Sequence, residues 1–282
     1  MAVASAAAFG TVAILAKNGY DEGADPLPLL GYRFVVASLL LLCLAAALRR
    51  SIVPSRDVVL KLLLLGGIGF AVESTLFFIA LDRAPAGIVS LVFFSFPVLT
   101  ALISWALRLE PITRRTLVAL ALGTVGVMSI FSVRHVSLDG PLLSLAAAVA
   151  VAIYFTGTGI VIKGQDPIVG AIWTAVGAAV TVLSASYLLG QDFPIEALPS
   201  AIALGVVTAI AFVAMYVAIS LIGPSKTAVA QMLEPVVTVV LGVLILDEVV
   251  TFRIAVGAAL IVAALPILAA QRTEAPPPGD SV

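Results

Sequence analysis

The sequence predicts an all-α integral membrane fold of ten transmembrane helices, built as two inverted five-helix repeats. Three observations carry this. Of 282 residues, 62% are hydrophobic and only 11% charged, with a mean hydropathy of +1.21. The apolar residues fall into ten runs, each close to the roughly 20 residues that cross a bilayer. The chain also matches itself at fixed offsets. A soluble domain carries about 25% charged residues, so this composition leaves the outer surface to be covered by lipid.

The runs lie at about 2–18, 28–48, 60–81, 86–107, 113–133, 140–162, 167–189, 197–221, 225–246 and 251–270. No strand-length alternation suggests a barrel, which leaves helices to satisfy backbone polar groups in lipid. The first run has no charged n-region and is read as a helix, not a cleaved signal peptide. Turn chemistry separates runs at Asp25-Pro26-Leu27-Pro28, Arg83-Ala84-Pro85, Gly164-Gln165-Asp166-Pro167 and Gly223-Pro224. Residues 271–282 read as a disordered cytoplasmic tail.

Orientation follows from Lys/Arg asymmetry. With the N-terminus inside, inner connections hold Arg49, Arg50, Arg56, Lys61, Arg108, Arg114, Arg115, Lys163, Lys226 and Arg272. The outer connections hold Lys17, Arg83, Arg134 and Arg253, and Arg33 lies within the second run. This bias places both termini in the cytoplasm. The net charge of −1 offers nothing to nucleic acid. Cys43 is the single cysteine, so no intramolecular disulfide forms.

At an offset of 138, Ala80–Arg115 matches Ala218–Arg253, with identities at Pro97/Pro235, Thr100/Thr238, Glu110/Glu248, Thr113/Thr251 and Arg115/Arg253. A second match, at an offset of 146, pairs Phe9-Gly10-Thr11 with Phe155-Thr156-Gly157. The halves are therefore residues 1–136 and 137–270. Five spans in each half put the two upside down relative to one another. Inverted repeats are used by secondary transporters, whose substrate site lies near midplane between the halves.

Several residues suit such a site. Glu234 falls near midplane, where an ionisable group is costly and should face a cavity, a partner or a proton pathway. Thr227, Gln231, Glu234 and Thr238 share one helix face. The repeat places Val89, Phe93, Phe96 and Thr100 on the matching face of the fourth run. If both faces border one cavity, it has a polar wall opposite an aromatic one. That suits an amphipathic solute with an amine and an apolar body. Glu73 is the second intramembrane carboxylate, with Phe77 one turn on. Arg33 lies about 9 Å and Glu73 about 13 Å below the same surface at 1.5 Å per residue, so they are candidates for an ion pair. Further cavity candidates are Phe9, Thr11, Tyr154, Phe155, Thr156, Phe212 and Tyr216. Tyr154 and Phe155 differ by about 100° around their helix, which predicts that one of them only packs. Pro97 and Pro235 are expected to kink their helices, as hinges or as fixed bends. Glu110 and Glu248 are expected to pair with arginines at helix ends. His135, the only histidine, has no partners for a metal site. No metal, cofactor or obligate protein partner is implied; the expected partners are a small-molecule substrate and the lipid bilayer.

Arg33, Phe77-Phe78-Ile79-Ala80-Leu81, Ser95-Phe96-Pro97 with Leu109-Glu110, and Leu233-Glu234-Pro235 with Leu246-Asp247-Glu248 form an ordered set. With them the chain resembles the ten-helix EamA family of the drug/metabolite transporter superfamily, most of all the aromatic amino acid exporters of the YddG type. The resemblance implies inward- and outward-facing states around a central cavity, export of amino acids or related metabolites from bacteria, and no bound cofactor. Proton-coupled export of drugs or cations stands as the alternative within transporters, and a passive solute channel outside them.

Overall fold

The computed structural model describes residues 1–84, 86–130, 138–246 and 251–269, and every regular element among them is helical. His135, the Asp247-Glu248 pair and the 271–282 tail lie outside the described residues. The spans begin with α1 (Ala2–Asp21) and α2 (Pro26–Ala47). The third span is α3 (Arg56–Leu64), a π-helical turn (Leu65–Phe70) and α4 (Ala71–Arg83). The fourth is divided into α5 (Ala86–Phe93) and α6 (Phe96–Ala106). Then come α7 (Arg114–Ile130), α8 (Asp139–Val161), α9 (Pro167–Leu188) and α10 (Leu198–Ile222). The ninth span is divided into α11 (Pro224–Gln231) and α12 (Glu234–Leu246), and α13 (Phe252–Ala269) ends the described chain. Eight spans are long and apolar enough to cross a membrane, and the shorter α7 and α13 bring the number to ten.

The two divided spans differ from the expected kinks. Pro97 and Pro235 are the second residues of α6 and α12, not bends inside a continuous helix. A proline removes the bond to the carbonyl four residues back and crowds that carbonyl. Those positions are Phe93 and Gln231, where α5 and α11 stop. The same i→i−3 bonds close both interruptions, Ser95 N–H to Val92 O and Leu233 N–H to Ala230 O, each at 3.1 Å.

Connections meet on two faces. On the first, Arg50 pairs with Asp166 at 3.0 Å, and the Trp173 indole N–H donates to the Ile52 carbonyl at 2.9 Å. On the second, the Asp192 N–H donates to Asp25 Oδ2 at 2.9 Å and the Ser200 hydroxyl to Glu22 Oε2 at 2.7 Å. Thus α2–α3 joins α8–α9 on face I, and α1–α2 joins α9–α10 on face II.

The packing pairs α2 with α9, α7 with α13, and α6 with α11; α1 packs on α10, and α4 packs on α8. The π turn allows the third span to approach α9 at backbone distance. A Cβ on Gly66 would strike the Thr174 main chain, and one on Gly177 would strike that of Leu63. Small residues at such crossings let van der Waals packing hold helices together where lipid removes the hydrophobic drive. Trp105 is exposed, as an aromatic at a membrane interface would be.

Gly66→Val is expected to lower the melting temperature of the detergent-purified protein by several degrees. Overpacking of this kind costs roughly 1–3 kcal/mol, and a melt unchanged from wild type would refute the close contact.

Candidate functional site

The interruptions place four helix ends at mid-span, with the C-termini of α5 and α11 beside the N-termini of α6 and α12. In these places main-chain groups lack their helical partners and can be met by ligand or side chains. Glu234 opens α12 and is half-buried. Thr238, one turn on, donates to the Gly10 carbonyl at 2.9 Å and ties α12 to α1. Pro97 and Pro235 are both buried.

Around these ends runs an unbroken series of aromatic contacts. It passes from Phe77 to Phe93 (4.8 Å between ring centroids), Phe96 (5.4 Å), Phe155 (5.6 Å) and Tyr154 (5.9 Å). It continues through Phe70 (5.3 Å) and Phe212 (5.2 Å) to Phe9 (6.2 Å). Edge-to-face and offset pairs of this kind contribute about 0.5–1.5 kcal/mol each beyond area burial. Seven of the eight rings, all but Phe70, are among the candidates expected from the sequence. Tyr154 and Phe155 both belong to the series, because it wraps around α8: one ring turns to Phe70, the other to Phe96. Phe34, which also contacts Phe70 and Phe212, was not among the candidates. Its apolar neighbours gave no periodic signal to single it out.

The polar candidates divide. Thr11 is half-buried and donates to the Ala8 carbonyl of its own helix. Thr156 shares a 3.4 Å contact with Ser104 on α6. Tyr216 is fully buried between the hydroxyls of Tyr154 and Thr174. Gln231 is 2% exposed; its Nε2 donates to Ser5 Oγ at 2.9 Å, and that hydroxyl donates to the Ala211 carbonyl. Gln231 therefore sits within the α1–α10–α11 packing, and only Glu234 and Thr238 of the expected polar wall keep partial exposure. Glu73 is 7% exposed and accepts from the Ser74 hydroxyl at 3.0 Å. It makes no ion pair with Arg33 within 4.0 Å. The guanidinium lies instead over the Phe34 ring, 4.7 Å from its centroid. Arg33, Glu73 and Glu234 are nonetheless near enough for their charges to interact.

Most packing contacts recur when the halves are exchanged. Those of α1 on α10 and α12 correspond to those of α8 on α4 and α6. Several contacts have no counterpart, and one of them lies between the divided spans themselves. The face I segments α6 and α11 pack together, whereas among the described residues the face II segments α5 and α12 share no packing of that extent. Spans four and nine thus converge at face I and separate toward face II. Among the candidates, Phe9, Thr11, Phe77, Phe93, Glu234 and Thr238 are half-buried, and Phe96, Tyr154, Phe155, Thr156 and Gln231 are buried.

The sequence model of the EamA-like transporter family matches residues 1–132 and 138–269. The chain belongs to the EamA-like transporter family. It is a multi-pass membrane protein of a solute transporter family, so a small-molecule substrate and a lipid surround follow. A solved crystal structure superposes with a TM-score of 0.82 over 95% of this chain and 96% of its own, at 20% identity. That likeness concerns the fold. No curated protein matches the sequence.

At face I, Glu110, whose expected role was arginine pairing, joins the fourth and ninth spans. Its Oε2 accepts from the Ser225 main-chain N–H at 2.9 Å, at the start of α11. A carboxylate there satisfies a free donor and meets the positive end of the helix. Gly223, the residue before α11, has φ +85° and no room for a Cβ against the Glu110 carboxylate. A pocket of about 270 Å³ beside this contact is lined by residues including Lys163, Gln165 and Pro224, and by none of the mid-span candidates.

Glu110→Ala is expected to loosen face I. With Cys43→Ser removing the native thiol and Ser104→Cys as reporter, maleimide labelling should rise about 3- to 10-fold, the equivalent of losing roughly 1 kcal/mol at a helix N-terminus. Labelling equal to that of the Glu110 parent would exclude a closing role.

Proposed function

We propose that this family member is a secondary transporter exporting small amphipathic metabolites, amino acids with aromatic side chains among them, by alternating access around the mid-span site. The observation that carries this reading is the pair of interruptions at repeat-matched positions. Discontinuous helices at corresponding places in two halves put unpaired main-chain groups at the membrane midplane, between bodies that can rock against one another. Residues 1–136 and 137–270 are the two inverted repeats in this reading. The largely exchangeable packing supports it, and the packing of α6 on α11, unmatched between α5 and α12, marks face I as the closed one.

With the Lys/Arg excess on the cytoplasmic side, both termini lie in the cytoplasm of a bacterial inner membrane. Face I is then the cytoplasmic gate, and the structure is outward-facing. The aromatic series provides stacking surface for an apolar or aromatic body, and Glu234 provides a counter-charge for an amine. Pro97 and Pro235 act as the hinges, since an interrupted helix bends where its ladder is already open.

Glu73 and Glu234 also favour a second reading, proton-coupled export of cationic drugs, because intramembrane carboxylates form proton relays in pumps. A passive channel would need a continuous polar path, and face I is closed by packed α6 and α11.

Glu234→Gln, reconstituted in liposomes, is expected to reduce saturable counterflow of a labelled aromatic amino acid at least about tenfold, the loss of one charge-assisted contact of roughly 1.5–3 kcal/mol. Full retention of counterflow at every pH tested would remove Glu234 from the mechanism. Conductance that never saturates in the wild-type protein would defeat the carrier reading itself.

A further inference from the structure

Arg33 is the one cation buried in the helical interior among the described residues, and its surroundings leave it incompletely matched. It is 5% exposed, on α2. Its Nε is buried with no hydrogen-bond acceptor, and it makes no ion pair within 4.0 Å. The nearby carboxylates do not take it up as partner. Glu73 is engaged by Ser74, and Glu234 stands at the start of α12. The guanidinium instead rests on the Phe34 ring, a member of the aromatic cluster through Phe70 and Phe212.

A buried charge left in this condition is costly, because the desolvation of a guanidinium is offset only by good geometry and satisfied donors. Ring contact offsets part of it, on the order of 1–2 kcal/mol when desolvated, and leaves the planar fork of N–H donors without a matching acceptor. That fork fits a carboxylate in two parallel bonds. An amine would be repelled by it. The interior therefore presents a cation on α2, beside the aromatic cluster, and a half-buried carboxylate on α12 near enough for the two charges to interact.

We propose that Arg33 is a specificity-determining residue that receives the carboxylate of a zwitterionic substrate while Glu234 receives its ammonium group. This rests on the carrier reading above and adds a requirement that reading does not contain: a cationic amine lacking the carboxylate leaves Arg33 unmatched, and a deaminated acid leaves Glu234 unmatched. A site built to bond a polar group discriminates strongly against the analogue lacking it. The order of preference is zwitterion first, with both singly charged analogues well below it.

The test uses the full-length protein in liposomes and three labelled probes: tryptophan, its cationic analogue tryptamine and its deaminated analogue indole-3-propionate. Wild type should exchange tryptophan at least about tenfold faster than either analogue. Arg33→Gln should lose most tryptophan exchange while leaving the slow tryptamine exchange near its wild-type rate, so that the preference collapses toward unity. Arg33→Lys, which keeps a point charge without the fork, should restore part of the preference. Thermal stabilisation by tryptophan in detergent, present in wild type and Arg33→Lys and lost in Arg33→Gln, gives a readout independent of flux. Equal loss of all three probes in Arg33→Gln, with tryptophan stabilisation intact, would overturn the proposal and make Arg33 structural. A wild type that takes tryptamine as fast as tryptophan would also overturn it, in favour of a cation exporter. A wild type that exchanges none of the probes, with no saturable flux of any amino acid, would instead sink the carrier reading beneath it.

Discussion

The rings of Pro97 and Pro235 impose the constraint on which the rest of the molecule depends. Each denies its helix one hydrogen bond and crowds the carbonyl four residues back, so the preceding segments end at Phe93 and Gln231. In lipid, a helix that stops halfway has to have its open main chain surrounded by protein. The aromatic series from Phe77 to Phe9 and the small-residue approach of the third span to α9 supply that enclosure. The site, the packing around it and the two movable ends of each divided span all follow from two residues.

The two interruptions are alike in hydrogen bonding, yet their surroundings are unequal. The pieces toward face I meet each other; the pieces toward face II share no packing of that extent among the described residues. In the carrier reading the two halves exchange roles, and differences between them such as the α6–α11 packing and the Glu110–Ser225 bond set the balance between conformers a few kcal/mol apart. The same similarity that lets the halves fold as matching units keeps their two arrangements close in energy.

Much of this was legible from the residues. Ten spans came from apolar run length, and the recurrence of Pro97 at Pro235 pointed to the spans that the structure divides. The form of the division was not legible: a proline inside an apolar run is compatible with a bend or with a full stop, and the carbonyl clash at Phe93 and Gln231 decides between them only once the backbone is built. The placing of Gln231 was missed because a helical stripe gives the face but not the neighbour, and Ser5, its partner, lies 226 positions away. The pairing of Arg33 with Glu73 looked sound on depth alone. Depth along two axes says nothing about azimuth, and Phe34 and Ser74 occupy the two groups instead. The aromatic candidates lie against one another, since large rings at mid-span have few other places to go.

The contact between Glu110 and the start of α11 has a consequence for how the two positions can vary over time. Its acceptor is a side chain, but its donor is the main-chain N–H of Ser225. Every amino acid except proline carries that donor. The identity of residue 225 is thus constrained by the space available to it and not by its chemistry, while position 110 must keep a carboxylate and position 223 must keep a glycine. A contact of this kind drifts on one side only: residue 225 can change within the space it has without losing the bond, and that tolerance is written into the backbone.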